Sequence, residues 1–342
     1  MKKQKLLIAG SISLVLLFIF STCEAQEPLH DTYPPLPEAV AALDPDFRMN
    51  VTKTEVAEWE EGTNFYYAFK PAFKDPTVGF IIYPGALVDP VAYAPTARAI
   101  AQQGYLVVIV KMVQDLAILS YTRADKIITD YPAIKKWIIG GHSLGGVMAC
   151  AYAKQFTDKV QGVVIWAAFP SESFRIDDKP LKAISIYGTK DAAVEDIKAD
   201  KIHLPPDTVW VEIAGGNHTQ FGYYWDGVTE NFVQVGDNPA DITREEQQKQ
   251  IIKATSDFLA QFKDNTCPVV YLLGSADARL GTLRRFRDTM LAQSAAGKEL
   301  IALYCGNGAR ITAFLEQQSL IKACARKVLE ISIPAVELIM DF

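Results

Sequence analysis

The stretch 136-KWIIGGHSLGG-146 decides the fold of this chain. Residues 137–139 are apolar and typical of a short buried strand, and the G-x-S-x-G sequence at 141–145 opens a helix-compatible run that continues to Phe156. Glycines on both sides of Ser143 allow the strand and the helix to pass close together, which leaves the hydroxyl exposed above the sheet. The pattern therefore predicts a strand, a sharp turn with a nucleophilic serine, and a helix. A chance match is the alternative, because G-x-S-x-G alone is common.

Short apolar segments alternate with helical patterns on both sides of this stretch. Strands are predicted at 64–70, 77–83, 105–111, 161–169, 182–187 and 208–213. Helices are predicted at 90–103, 116–130, 144–156 and 244–262. Because strands that alternate with helices are joined by right-handed crossovers, the sequence predicts a mostly parallel central sheet flanked by helices. Such a sheet binds ligands at the carboxyl ends of its strands, where Ser143 is also expected.

Two further side chains with catalytic chemistry follow predicted strands. Asp191 comes just after the strand at 182–187, and His218 comes just after the strand at 208–213. A nucleophilic serine needs a base within hydrogen-bond reach, and the base needs a carboxylate to fix its tautomer. The order serine, acid, histidine therefore predicts a triad of Ser143, Asp191 and His218.

Few other residues compete for these roles. Glu195 and Asp196 follow the same strand as Asp191 and are alternative acids, and Asp191 could instead be a helix cap. The chain has 4 histidines. Three of them lie in the linker, before a proline pair and at the variable position of the G-x-S-x-G turn: His30, His203 and His142. Only His218 follows a strand in the required order.

Two backbone N–H groups are expected to stabilise an oxyanion that forms beside the serine. Leu144 follows the serine at the N-terminus of the predicted helix, where the helix dipole also favours negative charge. Ala86 lies in the turn after the strand at 77–83, and Gly85 before it lets the backbone approach closely. The alternative for Gly85 and Ala86 is a plain turn.

The composition is not that of a nucleic-acid binder. The formal net charge is −6, and no basic stripe is present that would neutralise phosphates. No C-x-x-C pair or histidine cluster indicates a metal site, so neither a metal nor an organic cofactor is expected. A disulfide between two of Cys267, Cys305 and Cys324 stays open, without a preferred pair.

The first 25 residues have the layout of an export signal. A basic start is followed by an apolar run at 6–20 and by polar and small residues up to Ala25. Cleavage after Ala25 is one option and a lipid anchor on Cys23 is another. An uncleaved anchor is the third, although the run is short for a bilayer span of about 20 residues. The chain is expected in the cell envelope or outside the cell, with soluble export favoured over a lipid anchor and membrane association through this N-terminus as the alternative. Residues 26–60 are predicted to form a linker and lead-in.

Four segments together resemble the α/β-hydrolase superfamily, on the side of the dienelactone hydrolases and small serine esterases. They are 83-YPGALVDPVAYAPTARAIAQQGYLVV-108, 140-GGHSLGG-146, 187-YGTKDAAV-194 and 215-GGNHTQFG-222. The resemblance implies an α/β-hydrolase catalytic domain at 61–264 and acyl transfer through Ser143. Dienelactone hydrolases proper use a cysteine nucleophile, so the serine in this chain argues against a lactone substrate.

The connections between strands bear on the substrate pocket. The segment 169–180 is short, so no large cap domain is expected. The segment 219–242 after the histidine is long, and loops of this length are often functional. Its aromatic residues are the candidates for the substrate pocket: Phe221, Tyr223, Tyr224 and Trp225. A surface loop packed by its own aromatic side chains is an equal alternative.

Residues 265–342 are predicted to form a small helical module, with short helices at 283–292, 298–304, 311–318 and 321–331. The segment 267-CPVVYLLGSADARLGTLRRFRDTML-291 resembles the CFI-box domain found at the C-terminus of assorted bacterial proteins. The residues after Cys267 are Pro-Val-Val, where that family has Phe-Ile. The resemblance supplies neither a function nor a protein partner for the module.

Together these features predict an exported serine hydrolase that cleaves a small-molecule carboxylic ester. A lactone or other acyl hydrolase with the same triad is one alternative. A non-catalytic envelope protein that uses the fold as a binding scaffold is another, and the intact serine and histidine argue against it.

Overall fold

Eight strands form one sheet in the computed structural model, which describes residues 32–60, 62–72, 75–225, 234, 236–263, 267–274 and 277–340. The strands are β1 Met49–Glu55, β2 Phe65–Pro71, β3 Val78–Tyr83, β4 Leu106–Val110, β5 Lys136–His142, β6 Gly162–Trp166, β7 Lys182–Gly188 and β8 Val209–Ile213. Their order in the sheet is β1-β2-β4-β3-β5-β6-β7-β8. β2 is antiparallel to both β1 and β4, and every other neighbouring pair is parallel.

The central strands are buried along their whole length. Every residue of β3, β4 and β6 is buried, as expected of parallel strands that are covered on both faces. Side chains alternate between two apolar clusters, so that Ile81 and Ile139 belong to one cluster and Phe80 and Ile138 to the other. The predicted mostly parallel sheet is confirmed, and each of its faces carries an apolar core.

Helices flank this sheet. Around the sheet they are α1 Pro37–Ala41, α2 Ala94–Ala101, α3 Ala124–Asp130, α4 Leu144–Gln155, α5 Val194–Ala199 and α6 Arg244–Ala260. α6 begins with a capping box, in which the Thr243 and Glu246 side chains each accept the other residue's N–H. Between β6 and β7 the chain forms only one 3-10 turn, Glu172–Phe174, so no cap domain is inserted there.

Two predicted helices are only partly helical. The segment 90–103 begins as a 3-10 turn, Pro90–Tyr93, and becomes α-helical only in α2. In the segment 116–130 only α3 is an α-helix, and separate 3-10 turns precede it. Ser120 interrupts the helical path there, with φ −152° and ψ 30°.

The sheet also begins earlier than expected. β1 lies inside the predicted lead-in 26–60 and pairs with β2 in register from Met49 opposite Pro71 to Glu55 opposite Phe65. Its sequence MNVTKTE is mostly polar because β1 is an edge strand, and charged edges hinder pairing with other chains. The predicted export signal at 1–25 lies outside the described residues.

The C-terminal part contains α7 Pro268–Leu273, α8 Arg279–Thr289, α9 Ala295–Gln317 and α10 Ser319–Met340. The prediction of four short helices is wrong in its boundaries: the segments at 298–304 and 311–318 belong to one helix, α9. Single glycines cost only about 1 kcal/mol in a helix interior, so those between the two segments do not end it. α10 continues through Pro334. Among the described residues, no helix combines the length and the apolar character that crossing a membrane requires.

Three cysteines are free thiols: Cys150, which is buried in α4, Cys267, which is half-buried, and Cys324, which is exposed. No disulfide therefore joins Cys267 to Cys324.

Candidate functional site

Ser143 lies in a strained turn between β5 and α4. Its φ of 52° and ψ of −126° fall outside the conformations that side-chain-bearing residues usually adopt. Its N–H donates to the carbonyl oxygen of Trp166 at the end of β6, at 3.0 Å. A Cβ atom at Gly141 or Gly145 would lie only 2.5 or 2.2 Å from the carbonyl oxygen of Tyr83. The two glycines of the G-x-S-x-G sequence are therefore required by close packing against the end of β3.

His218 and Asp191 form a hydrogen-bonded pair beyond the ends of β8 and β7. The distance from His218 Nδ1 to Asp191 Oδ2 is 3.0 Å, and Asp191 is 2% exposed. The other carboxylate oxygen, Oδ1, accepts the N–H of Ala193 at 2.9 Å, which fixes the orientation of the carboxylate. The pair leaves Nε2 as the ring atom that can exchange a proton with a nucleophile.

The alternative acids lie elsewhere. Glu195 and Asp196 are exposed on α5, and Glu195 pairs with Lys198 at 3.5 Å. Neither side chain contacts His218 in the part of the chain that the structure describes.

The electrostatic surroundings favour a protonated His218. Burial alone would lower the pKa of this imidazole, but the charge and hydrogen bond of Asp191 and the charge of Asp237 outweigh burial. The pKa of His218 is therefore raised above its ordinary value.

The serine and the histidine are neighbours without a hydrogen bond between them. The ring of His142, the residue before Ser143, lies 4.5 Å from the ring of His218, measured between centroids. Within the described residues no hydrogen bond joins Ser143 Oγ to His218 Nε2.

The turn after β3 carries the predicted oxyanion donor, Ala86. No hydrogen bond within the described residues uses the N–H of Ala86 or that of Leu144. The turn itself is held on both sides of Ala86: the N–H of Gly85 donates to Tyr93 Oη at 2.9 Å, and the N–H of Leu87 donates to the Asp115 carbonyl at 2.9 Å. Both N–H groups are therefore without an acceptor within the described residues, and their role as oxyanion donors stays a prediction.

A buried tyrosine and histidine connect this turn to the serine turn, and sequence reasoning did not identify either. Tyr93 Oη accepts the N–H of Gly85 and lies 2.9 Å from His142 Nδ1, so its own proton can go to that nitrogen. Burial raises the pKa of Tyr93, which keeps its proton. Burial lowers the pKa of His142 well below its ordinary value, and His218 lowers it further. The His142 ring is therefore neutral, and its buried Nε2 has no hydrogen-bond partner among the described residues.

The turn that carries His218 is held from α6. The buried side-chain amide of Gln247 accepts the N–H of Asn217 at 3.0 Å and donates to the Asn217 carbonyl at 2.8 Å. On the other side, Asp237 Oδ2 accepts both the N–H and the hydroxyl of Thr219, at 2.8 and 2.7 Å. The residues before and after the histidine are therefore each held by two hydrogen bonds. No sequence pattern marks Gln247 or Asp237, because each acts across a long stretch of chain.

The four aromatic pocket candidates differ in exposure. Phe221 and Tyr224 are fully buried, and Phe221 stacks on the His142 ring at 5.6 Å between centroids. They therefore form the wall behind the site and present no free surface. Tyr223 is half-buried against Arg244, and Trp225 is 38% exposed.

The described residues contain no candidate set of metal ligands. No group of three or more His, Cys, Asp or Glu side chains there is placed to hold a metal ion.

Comparisons with known proteins bear on the family. The model of the alpha/beta hydrolase family matches residues 79–249, which are 171 of the 342 residues. No curated protein matches the sequence. The CFI-box resemblance of the C-terminal segment stays a prediction.

Solved structures of similar fold include three hydrolases. A dienelactone hydrolase from Anabaena variabilis is 15% identical with a TM-score of 0.48, over 63% of this chain and 98% of that one. An arylesterase is 12% identical with a TM-score of 0.46, over 66% of this chain and 88% of that one. The hydrolase MGS-M1 from a Medee basin deep-sea metagenome library is 16% identical with a TM-score of 0.46, over 63% and 98%. With half of its length matched by the family model and with this sheet, the chain belongs to the alpha/beta hydrolase family.

Proposed function

We propose that this hydrolase cleaves a carboxylic ester through an acyl-enzyme on Ser143. The observation that carries the proposal is the His218–Asp191 hydrogen bond of 3.0 Å directly beside the strained Ser143 turn. A base held by a buried carboxylate next to a half-buried serine is the arrangement that acyl transfer requires. The unused N–H groups of Ala86 and Leu144 support it, because they can stabilise the oxyanion.

The reaction runs in two halves. Ser143 Oγ attacks the ester carbonyl while His218 Nε2 takes the hydroxyl proton, and the carbonyl oxygen becomes an oxyanion between the two N–H groups. The tetrahedral intermediate collapses, the C–O bond to the alcohol breaks, and His218 gives its proton to the departing oxygen. Water then attacks the acyl-serine with the same base, which releases the carboxylic acid and restores Ser143.

The fold favours an open site and a small-molecule substrate. No cap domain is inserted between β6 and β7, and Trp225 and Tyr223 are the pocket candidates with surface to offer. Since Phe221 and Tyr224 are fully buried, we expect substitutions of those two to act through packing rather than through substrate contact.

A fluorophosphonate probe tests the catalytic step. We expect the folded wild-type protein to be labelled, and Ser143→Ala and heat-unfolded wild type to remain unlabelled. Turnover of p-nitrophenyl esters with short and long acyl chains then measures the size of the acyl pocket. The turnover rate of Ser143→Ala should be at least about 1,000-fold lower than that of wild type. A folded wild-type protein that takes no label would overturn the proposal and favour a binding scaffold.

Export is part of the proposal and rests on the layout of residues 1–25. Mass spectrometry of the N-terminus of the cell-derived protein tests it. A mature chain that starts after Ala25, or at a lipid-modified Cys23, would support export, and an unprocessed Met1 in the cytosolic fraction would contradict it.

A further inference from the structure

α10 exposes a regular apolar seam on its outer side. The seam consists of Ile321, Cys324, Val328, Ile331, Ala335 and Leu338, and all six residues are exposed. The side chains of Val328, Ile331 and Leu338 have exposed fractions of 63%, 71% and 63%. A monomeric protein rarely leaves a continuous apolar stripe of this kind in water.

The opposite side of α10 is already used within the module. Ile333 is buried there, Lys322 donates to Tyr271 Oη at 2.8 Å, and Glu337 accepts from Thr282 at 2.9 Å. α10 also contacts α7, α8 and α9. The seam is thus a second face of a helix whose first face is already packed.

The spacing of the seam bears on the kind of surface that fits it. Its residues follow one another at intervals of three, four, three, four and three, which is the 3.5-residue period of a two-helix coiled coil. An amphipathic helix on a lipid surface has a similar spacing, so the spacing alone does not select the partner. It fits a helix that runs alongside α10 over nearly its whole length of about 33 Å.

The seam is also symmetric about the middle of α10. This symmetry indicates that a second copy of the same helix would fit it. About the midpoint between Leu329 and Glu330, eight exposed apolar residues form four mirrored pairs: Leu320 with Ile339, Ile321 with Leu338, Cys324 with Ala335, and Val328 with Ile331. An antiparallel copy of the same helix would place each residue opposite its mirror mate. Large residues would then meet large residues, and the small Cys324 would meet the small Ala335.

The charges favour the same direction. Outside the packed side of α10, the first half carries Arg326 and Lys327 and no acid, and the second half carries Glu330 and no base; Arg326 also pairs with Glu330 of its own helix at 3.4 Å. An antiparallel pair brings the basic half of one helix beside the acidic half of the other. A parallel pair would bring like charges together.

We infer that α10 pairs with α10 of a second copy in an antiparallel two-fold dimer, with Cys324 of one copy opposite Ala335 of the other. A two-fold interface uses the same surface on both copies, which the mirrored seam provides. Three heptads are short for a coiled coil, so we expect dissociation in the micromolar range rather than an obligate dimer.

Disulfide trapping tests the direction of the pairing. The full chain carrying Ala335→Cys is oxidised mildly in intact cells and compared with wild type and Ala335→Ser. We expect a covalent dimer only for Ala335→Cys, with mass spectrometry identifying the peptide pair that joins Cys324 to the introduced cysteine. A Cys324–Cys324 cross-link in wild type, without the mixed pair in Ala335→Cys, would overturn the antiparallel arrangement.

Sedimentation of the full chain tests the interface itself. Ile331→Glu places a charge in the seam, and Ile202→Glu is the matched control, because Ile202 is 72% exposed and lies outside the C-terminal module. We expect wild type and Ile202→Glu to dimerise with similar affinity. The dimerisation affinity of Ile331→Glu should be at least about tenfold lower, and all three proteins should give the same circular dichroism spectrum. A monomer at every concentration for wild type would overturn the inference. So would a seam that binds lipid vesicles instead of a second copy.

Discussion

The protonation of one imidazole governs the proposed chemistry at the residue scale. Asp191 and Asp237 both favour positive charge on His218, whereas His218 must be neutral to accept the Ser143 proton. Activity therefore requires a pH above the raised pKa of His218. We expect kcat/KM for an ester to fall on the acid side with a midpoint above about 6.5, the ordinary histidine pKa.

Asp191→Asn separates the charge from the shape of this acid. The substitution removes the carboxylate that raises the pKa of His218, so we expect the acid-side midpoint of kcat/KM to move to lower pH. The rate itself should fall by about 1,000- to 10,000-fold, because an amide does not hold the catalytic tautomer. The measurement is kcat/KM against pH. Asp196→Asn, an exposed residue of α5, is the control and should leave both quantities unchanged.

Tyr93→Phe tests the connection between the oxyanion turn and the serine turn. The variant removes the acceptor of the Gly85 N–H and the partner of His142, so the turn that carries Ala86 loses its support. We expect kcat to fall about tenfold with little change in KM, since the oxyanion forms only during the reaction.

Tyr105→Phe is the matched control for that variant. Tyr105 is equally buried, but its hydroxyl donates to the Ser256 carbonyl at 3.2 Å, away from the serine turn. If both variants lowered kcat alike, the effect would come from general stability and not from the oxyanion turn.

At the scale of elements, the position of His218 depends on a helix that comes later in the chain. α6 holds the turn after β8 through Gln247, which occupies both backbone groups of Asn217. This contact spans 30 residues, and it explains how a histidine outside any strand or long helix keeps a fixed position.

Gln247→Leu tests this contact. The variant leaves the N–H and C=O of Asn217 buried without partners, so we expect the free energy of unfolding to fall by about 2–4 kcal/mol. We also expect kcat to fall, because His218 follows Asn217 directly. Urea unfolding and ester turnover measure the two effects. Gln250→Leu, an exposed position on the same helix, should change neither by a comparable amount.

The elements that the sequence predicts well are those with a strong local pattern. The apolar strands β3 to β7 bury nearly all of their residues, and a local apolar pattern is enough to predict them. In the edge strand β8 only Ile213 is buried, but the run of β-branched and aromatic residues still predicts a strand. β1 was missed because an edge strand can be polar, and the segment 116–130 was overestimated because Ser120 departs from helical geometry. The sequence predicts two helices where α9 is one, because glycines separate the two segments. Glycine is only a weak helix breaker when the surrounding helix packs well, so α9 continues through them.

At the scale of the whole molecule, the sequence predicts which side chains meet but not what holds them. Ser143, Asp191 and His218 each follow a predicted strand, and the ends of parallel strands meet at one edge of the sheet, so the sequence predicts that the three side chains lie together. The His218–Asp191 contact agrees with this prediction. Tyr93 and Gln247 act between elements that are distant in sequence, and a single sequence contains no signal for such packing. The mirrored seam of α10 was present in the sequence, but it became meaningful only once all of its residues were found on an exposed face.

The buried thiol of Cys150 can report how often the core of the molecule opens around α4. Cys150 lies two turns after Ser143 on α4, is fully buried, and its pKa is raised by burial, so a thiol reagent reaches it only when this part of the core opens. At concentrations where the chain is monomeric, the exposed Cys324 should react at once, and Cys150 should follow at a rate set by opening. Peptide mass spectrometry during labelling would thus measure the rate at which α4, the helix that follows Ser143, opens locally. Ligands that occupy the site should slow that rate in proportion to the occupancy of the site, which makes a structural cysteine a reporter of binding even for substrates that are not turned over.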